Sequence, residues 1–290
     1  MTAPLGRRAL VEAVGSAALV AVVVGSGIQA TELSRDVGVQ LLANSLATVF
    51  GLGVLIVLLG PVSGAHFNPA VTVAAWFTGR RTEDGLTARD VAAYVPAQLV
   101  GAVAGAVLAN AMFGLPPVSW ATHDRSAGHL LLGETVATAG LVLLVFGLTR
   151  VDRARFAPVA VASYIGAAYW FTSSTSFANP AVTIGRAFTD TFAGIAPASV
   201  APFVAAQTAG AVLGLALVTA LFGRPATPVR AATARTTAPT VPDAPDLTAP
   251  TAPWPTPSPD PPLTAQLRKA PHEQQSRRRQ PRRVRSPLRP

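Results

Sequence analysis

Asn68 stands in HFNPAVT (66–72) and Asn179 in FANPAVT (177–183), the same pentapeptide 111 residues further along the chain. Asparagine is a preferred helix N-cap, and proline is favoured at the first helical position, where its missing N–H would go unpaired anyway. Asn68-Pro69-Ala70 and Asn179-Pro180-Ala181 therefore read as helix starts. Each lies in a run without Asp, Glu, Lys or Arg, Val37–Gly79 and Phe156–Gly185. A capping asparagine accepts helix N–H bonds with its side-chain oxygen and keeps its NH2 as a donor. The chemistry on offer is hydrogen bonding to a neutral acceptor in the positive potential of a helix start. Covalent chemistry has no counterpart in the chain: there is no nucleophile–base set, no metal-ligand spacing and no phosphate-cradling glycine loop. With no cysteine, disulfides and thiolate metal sites are excluded. No enzyme activity, cofactor or metal is expected.

Helix starts inside uncharged runs call for a membrane. Half of the residues are hydrophobic and 13% are charged, where a soluble domain carries about a quarter. Six apolar runs give approximate spans at 9–29, 38–59, 91–112, 128–148, 156–172 and 199–222, each near the roughly 20 residues a spanning helix needs. Glu12 within the first run, and five more runs behind it, argue against a cleaved signal peptide. Val37–Gly79 and Phe156–Gly185 each leave residues over beyond one span, and they hold the two motifs. The helices after Asn68 (to about Phe77) and Asn179 (to about Asp190) are too short to span, so each is a half-helix. Their lead-ins, PVSGAH (61–66) and TSSTSFA (172–178), must be non-helical at bilayer depth. Such backbone survives only where protein buries it or a water-filled cavity solvates it. Carbonyls around Gly64–His66 and Thr175–Phe177 would then face passing solute.

The chain also repeats on a larger scale. Glu12 opens EAVGSAALV and Glu134 opens ETVATAGLV; each half closes with a related helix, AQLVGAVAG (97–105) and AQTAGAVLG (206–214). Glutamate, motif and glutamine helix recur as a set. Three spans per half, an odd number, make the second half enter from the opposite side, an inverted repeat with its working site near the midplane. The fold expected is an all-α membrane protein: six transmembrane helices and two re-entrant half-helices. Residues 1–223 are expected to form the membrane domain, with repeats at about 5–113 and 127–223. Arginines 7, 8, 80, 81, 89, 150, 153 and 155 fall on one side with the C-terminal tail, and only Arg35 and Arg125 clearly fall on the other. The positive-inside rule makes both termini cytoplasmic. The net charge of +9 does not signal nucleic acid, because it is concentrated in the tail: residues 1–223 hold 11 Arg against 10 acids, and 224–290 hold 12 Lys/Arg against 4. That Pro-rich, basic tail has too few apolar residues to fold and is expected to be a disordered cytoplasmic segment. Its end either meets anionic lipid or stays solvated.

With these residues in place, the chain resembles the major intrinsic protein family, the aquaporins and glycerol facilitators. SGAHFNPAVT (63–72) is a close match to the first family motif, and the resemblance covers residues 5–223. It implies homotetramers with one pore per subunit, a plasma-membrane location, and passage of water and small neutral solutes. It also gives Glu12 and Glu134 the role of accepting hydrogen bonds from the re-entrant loops. An intramembrane carboxylate is costly unless partnered, so the physics agrees. Most members place an Arg after the second Asn-Pro-Ala; here Val182 stands there, and Thr183 replaces the Asp that usually follows in glycerol facilitators. Counting without gaps puts the other filter positions at Thr48, Ala167 and Ser176, a set without an aromatic, His or Arg, hence a wide constriction. Arg186 lies four residues after Val182 on nearly the same face. It either substitutes for the filter arginine or pairs with Asp190. His66 either packs the loop or contacts solute, and Trp76, Trp170 and Tyr169 read as packing or interfacial aromatics.

The leading expectation is a passive channel for water and solutes such as glycerol, with ions and protons excluded at the paired motifs. Metalloid hydroxides such as arsenite enter through the resemblance alone. An ion-coupled secondary transporter is the rival, since inverted repeats and broken helices also serve that class. It would need titratable groups at the midplane. A lipid-interacting protein acting through its tail is the third; truncation at Arg224 would spare a channel and disable it.

Overall fold

The computed structural model describes residues 3–80, 82 and 85–223. The tail expected at 224–290 lies outside the described residues. Among these residues every regular element is a helix: α1 (Leu5–Leu33), α2 (Val37–Ser63), α3 (Pro69–Gly79), α4 (Ala88–Met112), α5 (Gly128–Arg150), α6 (Ala157–Phe171), α7 (Pro180–Gly185) and α8 (Pro197–Phe222). Five of them (α1, α2, α4, α5 and α8) are long and apolar enough to cross a membrane. The expected sixth span, 156–172, is a 15-residue helix, α6, preceded by a 3-10 turn at Ala154–Phe156. At 1.5 Å per residue α6 covers about 22 Å, short of the roughly 30 Å of a bilayer's hydrocarbon core.

The two halves are built alike because they pack alike. α1 lies against α4 and α2, and α5 lies against α8 and α6. Glycines make the first contact of each pair possible: a Cβ at Gly101 or Gly105 would collide with Ala13 O or Ala17 O, and one at Gly210 or Gly214 with Thr135 O or Ala139 O. Small residues four apart let helix backbones approach where lipid gives no hydrophobic drive. The halves interlock through α2 on α6, and through the half-helices: α3 packs on α4 and α8, while α7 packs on α8 and α4.

Both half-helices start where the capping argument places them. Asn68 Oδ1 accepts from Ala70 N at 2.9 Å, and Asn179 Oδ1 from Ala181 N at 2.9 Å. The second is shorter than expected: α7 stops at Gly185 and continues as a 3-10 turn over Arg186–Phe188, short of Asp190. Fewer aligned peptides then contribute to the positive end on that side. The lead-ins share one strained backbone. Ala65 and Phe67 have φ of 49° and 48°, and their counterparts Ser176 and Ala178 have 49° and 48°. A non-glycine residue in that region costs of order 1–3 kcal/mol and persists only where its surroundings over-determine it.

Candidate functional site

Two buried glutamates supply that over-determination. Glu12 Oε1 accepts from His66 N (3.0 Å) and from Ser63 Oγ (2.6 Å), and its Oε2 accepts from Phe67 N (2.6 Å) and Gln98 Nε2 (2.8 Å). Glu134 repeats the arrangement with Phe177 N, Ala178 N and Gln207 Nε2 at 2.8, 2.8 and 2.6 Å. Each glutamine amide also donates to the threonine of its own half's Asn-Pro-Ala-Val-Thr, Thr72 or Thr183, at 2.8 Å. The glutamine repeat is visible in the sequence, but its bond to the motif threonine needs the packed α1–α4 and α5–α8 pairs. Tyr94, fully buried on α4, adds a tie that sequence reasoning missed: its hydroxyl donates to Ser63 O at 2.8 Å.

The asparagines sit at the junction of the halves. Asn68 Nδ2 donates to Ala178 O at 2.8 Å, and Asn179 Nδ2 donates to Phe67 O at 2.7 Å. The expectation of an NH2 wholly free for solute is thereby corrected. One of its two N–H bonds pins the opposite lead-in, and one remains. Asn68 and Asn179 line the same cavity of about 260 Å³. The next residues face elsewhere: Pro69, Ala70 and Pro180 border a separate apolar groove walled by α4 and α8. A proline there has no N–H to leave unpaired against apolar surroundings. Ala181 is fully buried behind it.

The cavity follows α6 along Ala157, Val161, Ile165 and Tyr169, one residue per turn. That stripe corrects one sequence expectation. Ala167, two residues off it, is exposed on the outer face of α6 and is absent from the lining. Ungapped counting misses this because the phase of α6 follows its packing on α2 and α5, not its distance from Asn179. Tyr169, expected to be a packing aromatic, lines the cavity instead. Thr48 donates its hydroxyl to Asn44 O at 2.8 Å, so the 3.1 Å contact with Tyr169 is a bond from the tyrosine hydroxyl to Thr48 Oγ1. The Tyr169 oxygen keeps lone pairs for another donor.

Thr48, Ser176, Val182 and Arg186 all line the cavity. Arg186 is 4% exposed, its Nε donates to Ala193 O, and its guanidinium lies 3.4 Å from the centroid of the Phe177 ring. The alternative pairing with Asp190 is not formed; that carboxylate accepts from Thr122 N and Thr122 Oγ1. His66 also lines the cavity, with Nδ1 3.1 Å from Thr72 Oγ1 and its ring edge-on to Tyr94, so packing and lumen exposure coexist. Trp170 Nε1 donates to Ser45 Oγ, and Trp76 lies under the Arg80 guanidinium. Arg125, which the sequence placed only in a loop, is 7% exposed and also stacks on Phe177. The sequence signal that could have found it is weak: a lone arginine in a polar linker.

An all-helical membrane protein with two half-helices meeting at one lumen is the class that this fold and site define. The chain belongs to the major intrinsic protein family, whose pattern matches residues 2–176. It is 49% identical over 225 residues to "Aquaglyceroporin AqpS" of Rhizobium meliloti (strain 1021), covering 78% of this chain and 94% of that one. It is 32% identical over 218 residues to "Aquaporin Z" of Brucella melitensis biotype 1, covering 69% and 91%. Among solved structures, the aquaglyceroporin from Plasmodium falciparum superposes with a TM-score of 0.56 at 21% identity, covering 74% of this chain and 95% of that one, a likeness of fold.

Proposed function

We infer that this chain is a passive, multi-pass transmembrane channel for water and small uncharged solutes, glycerol among them. The observation that carries this reading is that one cavity is lined by both motif asparagines, each held by the opposite half. A neutral hydroxylated molecule can accept the remaining Asn N–H and donate to lead-in carbonyls, replacing the water it sheds. Cations meet the positive ends of two half-helices and a buried arginine. A secondary transporter finds no support: Glu12 and Glu134, the carboxylates it would need for coupling, are occupied by loop N–H groups.

The finer assignments rest on geometry and on relatives. Arg186, reaching the lumen one turn past Val182, takes the filter role, with Thr48, Tyr169 and Ser176 around it. Val182 keeps that constriction wider than an arginine at its own position would. Glycerol as a solute is supported by the relative named an aquaglyceroporin, and arsenite, as neutral As(OH)3, is the metalloid hydroxide to try next. Glu12 and Glu134 brace the loops. Residues 1–223 form the channel, a homotetramer in lipid, with both termini cytoplasmic as the arginine distribution supports.

Stopped-flow light scattering on proteoliposomes tests the reading with inward gradients of sucrose, glycerol and arsenite. Fast shrinkage in sucrose and re-swelling in glycerol are expected. Shrinkage no faster than that of empty liposomes would overturn the channel assignment. Fast shrinkage without re-swelling in either solute would restrict it to water.

A further inference from the structure

We propose that Arg125, on the loop between α4 and α5, is a second specificity determinant of this channel, acting through Arg186. It occupies the other station on the Phe177 ring and so keeps the Arg186 guanidinium in the lumen. The inference rests on the channel reading above.

Two consecutive carbonyls hold the two arginines. Arg186 Nε donates to Ala193 O, and Arg125 Nε donates to Gly194 O at 3.1 Å. Both guanidiniums stack on one ring, with their central carbons 3.4 Å (Arg186) and 5.0 Å (Arg125) from the Phe177 centroid. Phe177 is held in place: its backbone N–H donates to Glu134, and its ring meets that of Phe203 in an edge-to-face contact at a centroid distance of 5.2 Å. Both arginines are more than nine-tenths buried. Neither has a carboxylate within ion-pair distance, the salt bridge formed among the described residues being Arg8–Asp90. Buried charge without a partner is expensive, and within a membrane protein it marks a solute path. Only Arg186 is part of the cavity wall. Arg125 stands behind, where the Arg186 side chain would otherwise find a second acceptor beside the same aromatic ring. Like charges at this range repel, so retreat is closed while Arg125 is present.

The loop is built to hold this position. Arg125 N donates to Ser199 Oγ at 2.9 Å, Ser199 Oγ donates to Asp124 Oδ1 at 2.8 Å, and Ala196 N donates to His123 O at 2.8 Å. The loop flanking Arg125 is thereby tied to the start of α8, which places the guanidinium without contact to the solute.

The test compares water, glycerol and erythritol permeabilities of proteoliposomes bearing wild type, Arg125→Ala, Arg125→Lys, Arg186→Ala and the double alanine variant. Arg125→Ala should raise the erythritol-to-glycerol ratio severalfold, as Arg186→Ala does. The double variant should show no further rise, and Arg125→Lys, which keeps the charge, should return most of the wild-type ratio. An unchanged ratio in Arg125→Ala would overturn the proposal, as would an equal rise in the Arg186→Ala background. Should the alanine variant fail to fold, Arg125→Gln, which keeps a donor for Gly194 O, carries the same comparison. Wild-type vesicles that pass neither water nor glycerol would overturn the channel reading itself, an outcome distinct from a wild-type channel with an indifferent Arg125.

Discussion

Asn68 and Asn179 each donate to the backbone just ahead of the other, Asn68 Nδ2 to Ala178 O and Asn179 Nδ2 to Phe67 O. The side chains that cap the two half-helices are therefore also the cross-links between the two halves. Capping and assembly share one amide group that also borders the cavity, and a change there cannot affect one role alone.

Asn179→Asp removes the donor to Phe67 O and places a carboxylate in the lumen. Losing a buried hydrogen-bond partner costs about 1–3 kcal/mol, and the added charge lowers the barrier to cations. Water flux should fall and a proton leak should appear, read with a pH-sensitive dye inside vesicles. Unaltered proton tightness would count against the electrostatic role of the paired asparagines.

Glu134→Ala strips acceptors from Phe177 N, Ala178 N and Gln207 Nε2 together. Each orphaned buried donor costs about 1–3 kcal/mol, and the strained φ at Ser176 and Ala178 loses its support. Thermal unfolding in detergent should drop well below wild type. Glu134→Gln, retaining one acceptor oxygen, should fall between the two.

Val182→Arg adds a second guanidinium to a cavity of about 260 Å³, one turn from Arg186. Glycerol re-swelling should fall to the empty-vesicle background while water flow persists. Persistent glycerol entry would move the constriction away from Val182.

Gly101→Ala drives a methyl group into Ala13 O at the α1–α4 contact. Over-packing of this kind costs typically about 1–3 kcal/mol. A lowered unfolding temperature is expected, with Gly6→Ala, which meets open space, as the neutral control.

Acid should loosen the loop between α4 and α5 through His123. Burial, then the charges of Arg125 and Arg186, lower its pKa from 6.5, with Asp124 opposing. A cationic group with a lowered folded pKa contributes stability above its ordinary value and loses it as pH falls through the folded one. The loss should therefore begin below pH 6.5. Asp124, held below 3.8 by hydrogen bonds from Ser126 and Ser199, keeps its contribution above that value. Protection factors over residues 114–127, taken against the intrinsic exchange rate at each pH, should fall as pH drops from 6.5 toward 3.8 in wild type and stay flat in His123→Gln.

Much of this architecture is written locally. Asn-Pro at the head of a short apolar helix fixes where α3 and α7 begin, since capping needs only the four residues that follow. The paired glutamates and glutamines announce a repeat, and uncharged runs announce a membrane, because hydrocarbon tolerates neither charge nor unpaired backbone. What lines the lumen is a different kind of fact. Tyr169 faces the cavity and Ala167 faces away because the phase of α6 is set by its packing on α2 and α5. A shift of two residues turns a helix by more than half a circle, which no motif count can correct. Arg186 and Arg125 meet on Phe177 only because the α4–α5 loop is tied to the start of α8. Residue spacing along the chain decided where helices start and that the chain has two halves; long-range packing decided which side chains share the pore.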